Sequence, residues 1–227
     1  MRMSHRLLPL LLLLGIALTG GLSASLLEET EKSVTEFQLP NGIRVIVLER
    51  HQVPVVSFVT YFDVGASNEV IGGTGLAHIF EHMAFKGSTT IGTTDIGTES
   101  KLLDELDKVF QQILAEKRKV TGADPKKLAE LQTRFSELEQ KAGKYVVNNE
   151  FVTLLEKEGG EGTNAGTSAD STVYYINLPS NKVELWAWLE SERLLNPVLR
   201  EFYKEKNVVM EERRQRTESN PIGRLIE

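Results

Sequence analysis

The residues best suited to chemistry lie in one short segment, Gly75-Leu-Ala-His78-Ile-Phe-Glu81-His82-Met-Ala-Phe85. On a helix, side chains four apart share a face, so His78 and His82 can aim their imidazoles at one point, with Glu81 on the same side. Two imidazoles at that spacing chelate zinc. A carboxylate one residue before the second histidine can reach a metal-bound water without being a ligand, which suits a general base. The competing reading is a pair of satisfied core histidines. It is the weaker one, because two histidines and a glutamate on an otherwise apolar helix are costly unless paired or metal-bound.

A catalytic zinc takes three protein ligands and leaves a fourth position for water. The chain has 4 His and no Cys. His5 falls in the leader described below, and His51, beside a strand end, is expected at the surface. The third ligand must then be a carboxylate. The best pool is Glu205, Glu211 and Glu212, within Lys204-Glu-Lys-Asn-Val-Val-Met-Glu-Glu-Arg-Arg214. Glu205, Val208, Val209 and Glu212 fall on one helical face. Two carboxylates sharing a face with two valines suggest that one binds metal and the other supports it through an outer hydrogen bond.

These residues need elements to position them. Runs at 34–39 and 43–48 flank Pro40-Asn41-Gly42 and predict a β-hairpin, and a third strand is expected at 55–62. Glycines 65, 72, 73 and 75 break the chain before a short helix over 76–85, which is expected to be buried and capped by Thr74. From 99 to 158 the composition shifts to Lys, Glu, Leu and Gln. Apolar residues there recur at three-four spacing, from Leu102, Leu106, Val109 and Ile113 to Leu128, Leu131, Phe135, Leu138, Ala142 and Tyr145. This predicts an antiparallel helical hairpin joined at 121–125, its charges forming a solvated face. Two further strands, at 163–167 and 171–178, and helices at 181–195 and 201–217 complete the pattern. The fold class expected is α+β, an antiparallel or mixed sheet with helices packed on one face.

Composition narrows the partners. Of 227 residues, 26 are Lys or Arg and 32 are Asp or Glu, for a net charge of −6. That acidic balance argues against nucleic acid. The absence of cysteine excludes disulfides, cysteine-ligated metal and a cysteine nucleophile. Residues 1–25 combine two arginines, an apolar run over 7–18 and a small-residue stretch ending at Ala24-Ser25. This is the layout of a cleaved export signal, which predicts a secreted or periplasmic protein with no stable membrane span. An uncleaved N-terminal membrane anchor is the alternative.

The inverted H-x-x-E-H order, together with Gly162-Thr-Asn164-Ala165, Thr172-Val-Tyr-Tyr175 and the Glu205-x6-Glu212 pair, resembles the insulinase/pitrilysin family of zinc metallopeptidases, particularly its mitochondrial-processing-peptidase-like bacterial branch. The resemblance runs from about residue 34 to the last residue, apart from the helical hairpin. It implies that His78, His82 and Glu212 bind one Zn2+, that Glu81 activates water and that Glu205 supports the site. It also implies that Asn164 and Ala165 lie on an edge strand to which an extended peptide substrate adds by main-chain pairing. Positions 82 and 212 are 130 apart, farther than the family leads one to expect, and the hairpin at 99–158 accounts for the excess as an insertion. The expected organisation is therefore a leader at 1–25 and an N-terminal peptidase domain at 26–227, cut short of a second family domain or subunit that would close over the substrate. The alternative function is a non-catalytic family subunit acting as a binding or assembly partner. An S-ribosylhomocysteine lyase-like enzyme is disfavoured by the export signal and the missing cysteine.

Overall fold

A computed structural model describes residues 30–218. The expected leader lies outside the described residues, and none of the helices among them is long and apolar enough to cross a membrane. The chain divides into two units at Pro54/Val55.

In the first unit, β1 (Val34–Gln38) and β2 (Arg44–Leu48) pair antiparallel from Val34↔Leu48 to Gln38↔Arg44. The Asn-Gly turn forms because Gly42 takes φ +91°, which lets its N–H donate to the Leu39 carbonyl at 2.9 Å. His51 is exposed and lies 3.3 Å from the Glu49 carboxylate.

The second unit is built on a three-stranded antiparallel sheet of order β3-β5-β4, with β3 at Val55–Phe62, β4 at Glu161–Thr167 and β5 at Thr172–Pro179. All pairings among the described strands are antiparallel, so the mixed-sheet alternative drops out. Central β5 alternates: Thr172, Tyr174, Ile176 and Leu178 are buried, while Tyr175 and Asn177 face out. The inner face carries Phe58, Ile176 and Leu178, packed against Ile91, Phe151, Leu155 and Leu189. Trp186 stacks on Phe58 at 4.3 Å. The helices therefore cover one face. On the other, Val55, Val59 and Tyr61 remain exposed.

Helix α1 (Leu76–Met83) buries only Ile79 and Met83, and Leu76 and Phe80 are exposed, so the expectation of a buried helix is corrected to a half-buried one. Its cap also differs from expectation. Gly75 occupies the cap position in left-handed backbone, and the carboxylate of Glu69 accepts from Gly75 N and Ala77 N, both at 2.7 Å. A carboxylate at that end also opposes the positive pole of the helix dipole.

Helices α2 (Ile96–Lys117) and α3 (Pro125–Gly143) form the hairpin around Leu106, Val109, Ile113 and Leu138. Asp124 accepts from the Lys126 and Lys127 N–H groups and caps α3, with Pro125 in its first turn. The hairpin stops at Gly143, short of the expected 158. Residues Glu150–Lys157 form a separate helix, α4, because Phe151 and Leu155 make its apolar face and seat it in the core under the sheet. Helices α5 (Val183–Leu195) and α6 (Phe202–Arg213) follow, and α6 continues into a π-helical turn at Arg214–Glu218.

Candidate metal centre

Helix α1 lies against α6 through Ile79, Met83 and Val209, with Phe202 alongside. That contact brings two distant parts of the chain together. His78 Nε2 lies 3.5 Å from Glu212 Oε2, and His82 Nε2 lies 3.9 Å from Glu212 Oε1. One ligand atom from each of His78, His82 and Glu212 falls within 4.8 Å of the others, and all three residues are half-buried. Ligand atoms around a tetrahedral zinc sit ~3.3 Å apart, given bonds of about 2.0–2.2 Å. Small side-chain rotations would bring this set to that spacing, and two imidazoles with one carboxylate leave a fourth position open. The donor set thus fits zinc. Arg216, one turn on, also approaches Glu212, at 3.4 Å.

Glu205 stands on the other side of His82. Its Oε2 is 3.2 Å from His82 Nδ1, and its Oε1 is 2.6 Å from Lys86 Nζ. A carboxylate on Nδ1 fixes the tautomer that presents Nε2 outward. Lys86 also donates to Glu201 at 3.0 Å. Burial lowers the Lys86 pKa, but its bonds to Glu205 and Glu201 outweigh that effect and hold it above the ordinary lysine range.

Glu81 is separate from the histidine–carboxylate contacts. Its Oε2 accepts from the Thr167 hydroxyl at the end of β4. Tyr174 is close by on β5, where burial pushes its phenol up to about 12, with Arg193 opposing and Glu81 adding to the rise. That phenol stays protonated at neutral pH.

A cleft of about 390 Å3 opens beside these groups, bounded by Glu81, His82 and Phe85, by Asn164 and Ala165 on β4, and by Val147. Among the described residues β4 is an edge strand, paired only with β5. Asn164 Oδ1 accepts from the Ala165 N–H at 2.9 Å. The buried hydroxyl of Thr163 lines the same cleft and has no hydrogen-bond partner among the described residues.

The structure therefore brings His78, His82, Glu205 and Glu212 into one cluster, sets Glu81 beside it and lines the adjoining cleft with Asn164 and Ala165. Sequence reading missed Glu69, Lys86 and Thr167. Lys86 follows His82 by one helical turn, a detectable signal, whereas Glu69 and Thr167 act across loops and carry no local periodicity.

An α+β layer with an H-x-x-E-H helix facing a Glu-bearing helix belongs to a known class of peptidase folds. The insulinase family, peptidase family M16, matches residues 44–104 and 128–227, and the chain is a member of it. The gap between the two matched segments, 105–127, is the distal part of the hairpin. Zinc protease PqqE of Helicobacter pylori is 27% identical over 223 residues, 97% of this chain and 37% of that protein. The crystal structure of a protease from Helicobacter pylori superposes with a TM-score of 0.54 at 26% identity, covering 85% of this chain and 33% of the other. The chain thus spans about a third of the length of each relative.

Proposed function

We propose that this chain is the metal-binding module of a zinc endopeptidase acting on extended peptides, with zinc held by His78, His82 and Glu212. The observation that carries this reading is the convergence of those three side chains within 4.8 Å across 130 positions of sequence. The name of the PqqE relative supports the choice of metal. Bound there, zinc would polarise the scissile carbonyl and acidify a water.

The chain's own residues supply the rest. Thr167 occupies Oε2 of Glu81 and leaves Oε1 to take the proton of the attacking water and later deliver it to the leaving amine nitrogen. Glu205 accepts the Nδ1 proton of His82 and so keeps Nε2 free for the metal. The peptide backbone would pair with the open edge of β4, displacing the Asn164 side chain from the Ala165 N–H. A second family domain or subunit would close the cleft, which the greater length of the relatives supports. The character of residues 1–25 supports work outside the cytoplasm.

Zinc content and cleavage of a fluorogenic extended peptide, measured for the wild type and Glu81→Gln with and without the remaining family domain, test this. Both proteins should hold one zinc, and only the wild type should cleave. A wild type without stoichiometric zinc sinks the reading. A zinc-loaded wild type that cleaves nothing in either setting makes the chain a binding or assembly module instead.

A further inference from the structure

Arg200 is completely buried, and so is Glu99 beside it. A guanidinium has five N–H donors, and here all five are used. Nε donates to Glu99 Oε1 at 2.9 Å, and Nη2 donates to Glu99 Oε2 at 3.3 Å and the Ser88 carbonyl at 2.7 Å. Nη1 donates to the carbonyls of Lys86 at 2.5 Å and Ile91 at 2.8 Å. The loop over 86–92 is shaped around this group. Gly87 and Gly92 take φ of +90° and +86°, and a Cβ on them would stand 3.0 and 2.6 Å from Nη1.

Three elements meet at this point. The loop leaves the helix that carries His78, Glu81 and His82. Arg200 precedes the helix that carries Glu205 and Glu212. Glu99 lies in the first turn of α2, the root of the helical hairpin. The hairpin grips α6 a second time at Tyr203, whose ring lies 4.3 Å from Phe110 and 5.2 Å from Phe135 and whose hydroxyl donates to Asp107 at 2.7 Å. Both grips fall at the start of α6. Glu212 lies twelve residues beyond Arg200, ~18 Å along a helix rising 1.5 Å per residue, so a tilt of ~3° at the root moves its carboxylate by ~1 Å. Metal–ligand distances tolerate only about 0.2 Å.

We propose that Arg200, seated on Glu99, is a positioning residue for the metal centre and that the helical hairpin is the brace through which it holds the Glu205–Glu212 helix in register on the His78–His82 helix. This rests on the metal-site reading above. A lysine at 200 would keep the charge but has three donors on one nitrogen, too few and too narrowly placed for a carboxylate and three carbonyls. The pair also neutralises the charge it buries, so Glu99→Gln leaves the guanidinium uncompensated.

The test uses the natural absence of cysteine. Phe80→Cys on α1 and Met210→Cys on α6, both at exposed positions, carry nitroxide labels whose distance distribution is measured in metal-free protein. Arg200→Lys and Glu99→Gln are made in that background and, unlabelled, are assayed for zinc affinity by chelator competition. Tyr203→Leu loosens the same brace without touching the buried pair and serves where the buried variants do not fold. The expected result is a broadened distribution together with at least a ten-fold loss of zinc affinity, the scale of other outer-shell losses. Folded variants that keep the wild-type distribution or the wild-type affinity overturn the proposal. A wild type that binds no zinc while the variants still broaden the distribution sinks the metal reading and leaves the brace standing.

Discussion

Glu211 and Glu212 are adjacent in sequence and differ in surroundings. Glu212 faces both histidines, whereas Glu211 is half-exposed and bonds Arg214 at 2.5 Å. Under the proposed mechanism, Glu212→Gln should lower zinc affinity by more than the roughly 10–100-fold typical of an outer hydrogen-bond partner, while Glu211→Gln stays near wild type. Chelator competition on both variants decides it, and the reverse order would move the ligand role to Glu211. Spacing alone left three glutamates open at this point. The helical face that Glu205 and Glu212 share with Val208 and Val209 was legible, because face-sharing is a local property. Which carboxylate meets which imidazole depends on how α6 seats against α1, through Val209, Ile79 and Met83, and no local pattern carries that.

Most elements were legible for the same reason. The β5 alternation, the Asn-Gly turn and the three-four spacing from Leu102 to Ala142 are written within a few residues of each other. The departures involve partners far apart: the cap of α1 comes from Glu69 across a glycine loop, and α4 leaves the hairpin because its apolar face answers to the sheet. The turn of the hairpin rests on Glu116, which is buried and accepts from Lys119 at 2.8 and 2.9 Å and from Asp124 N at 2.8 Å. The Lys119 bond, followed by the Asp124 amide, holds the Glu116 carboxyl down at about 2 from an ordinary 4.5. A carboxylate lowered on folding stabilises fully above its unfolded value and loses that contribution as pH falls toward the folded one. Glu116→Gln should therefore lower the melting temperature at pH 6, with the gap to wild type narrowing from pH 4.5 and closing near pH 2. Thermal melts across that range check it, and a gap independent of pH would show that the charge is not what holds the turn.

For the molecule as a whole, a ligand that binds only the folded state stabilises it by mass action. Zinc at a hundredfold excess over its dissociation constant would add about 2.7 kcal/mol. For a chain of this length that is roughly 5–10 °C in melting temperature, reversed by a chelator. A melt indifferent to zinc and chelator would count against the site. The Arg200 seat has a further consequence, one of timing. Its partners lie 101 to 114 positions back along the chain, and the closure of such long loops precedes any gain from the contacts they make. The H-x-x-E-H helix is eight residues long, too short to be stable alone, and under the proposed function the ligand set is complete only after the segment from 200 to 212 has been made and has docked. On that reading, zinc capture then follows the docking of α6, and a newly made chain that carries His78 and His82 but not yet Glu212 offers an incomplete ligand set.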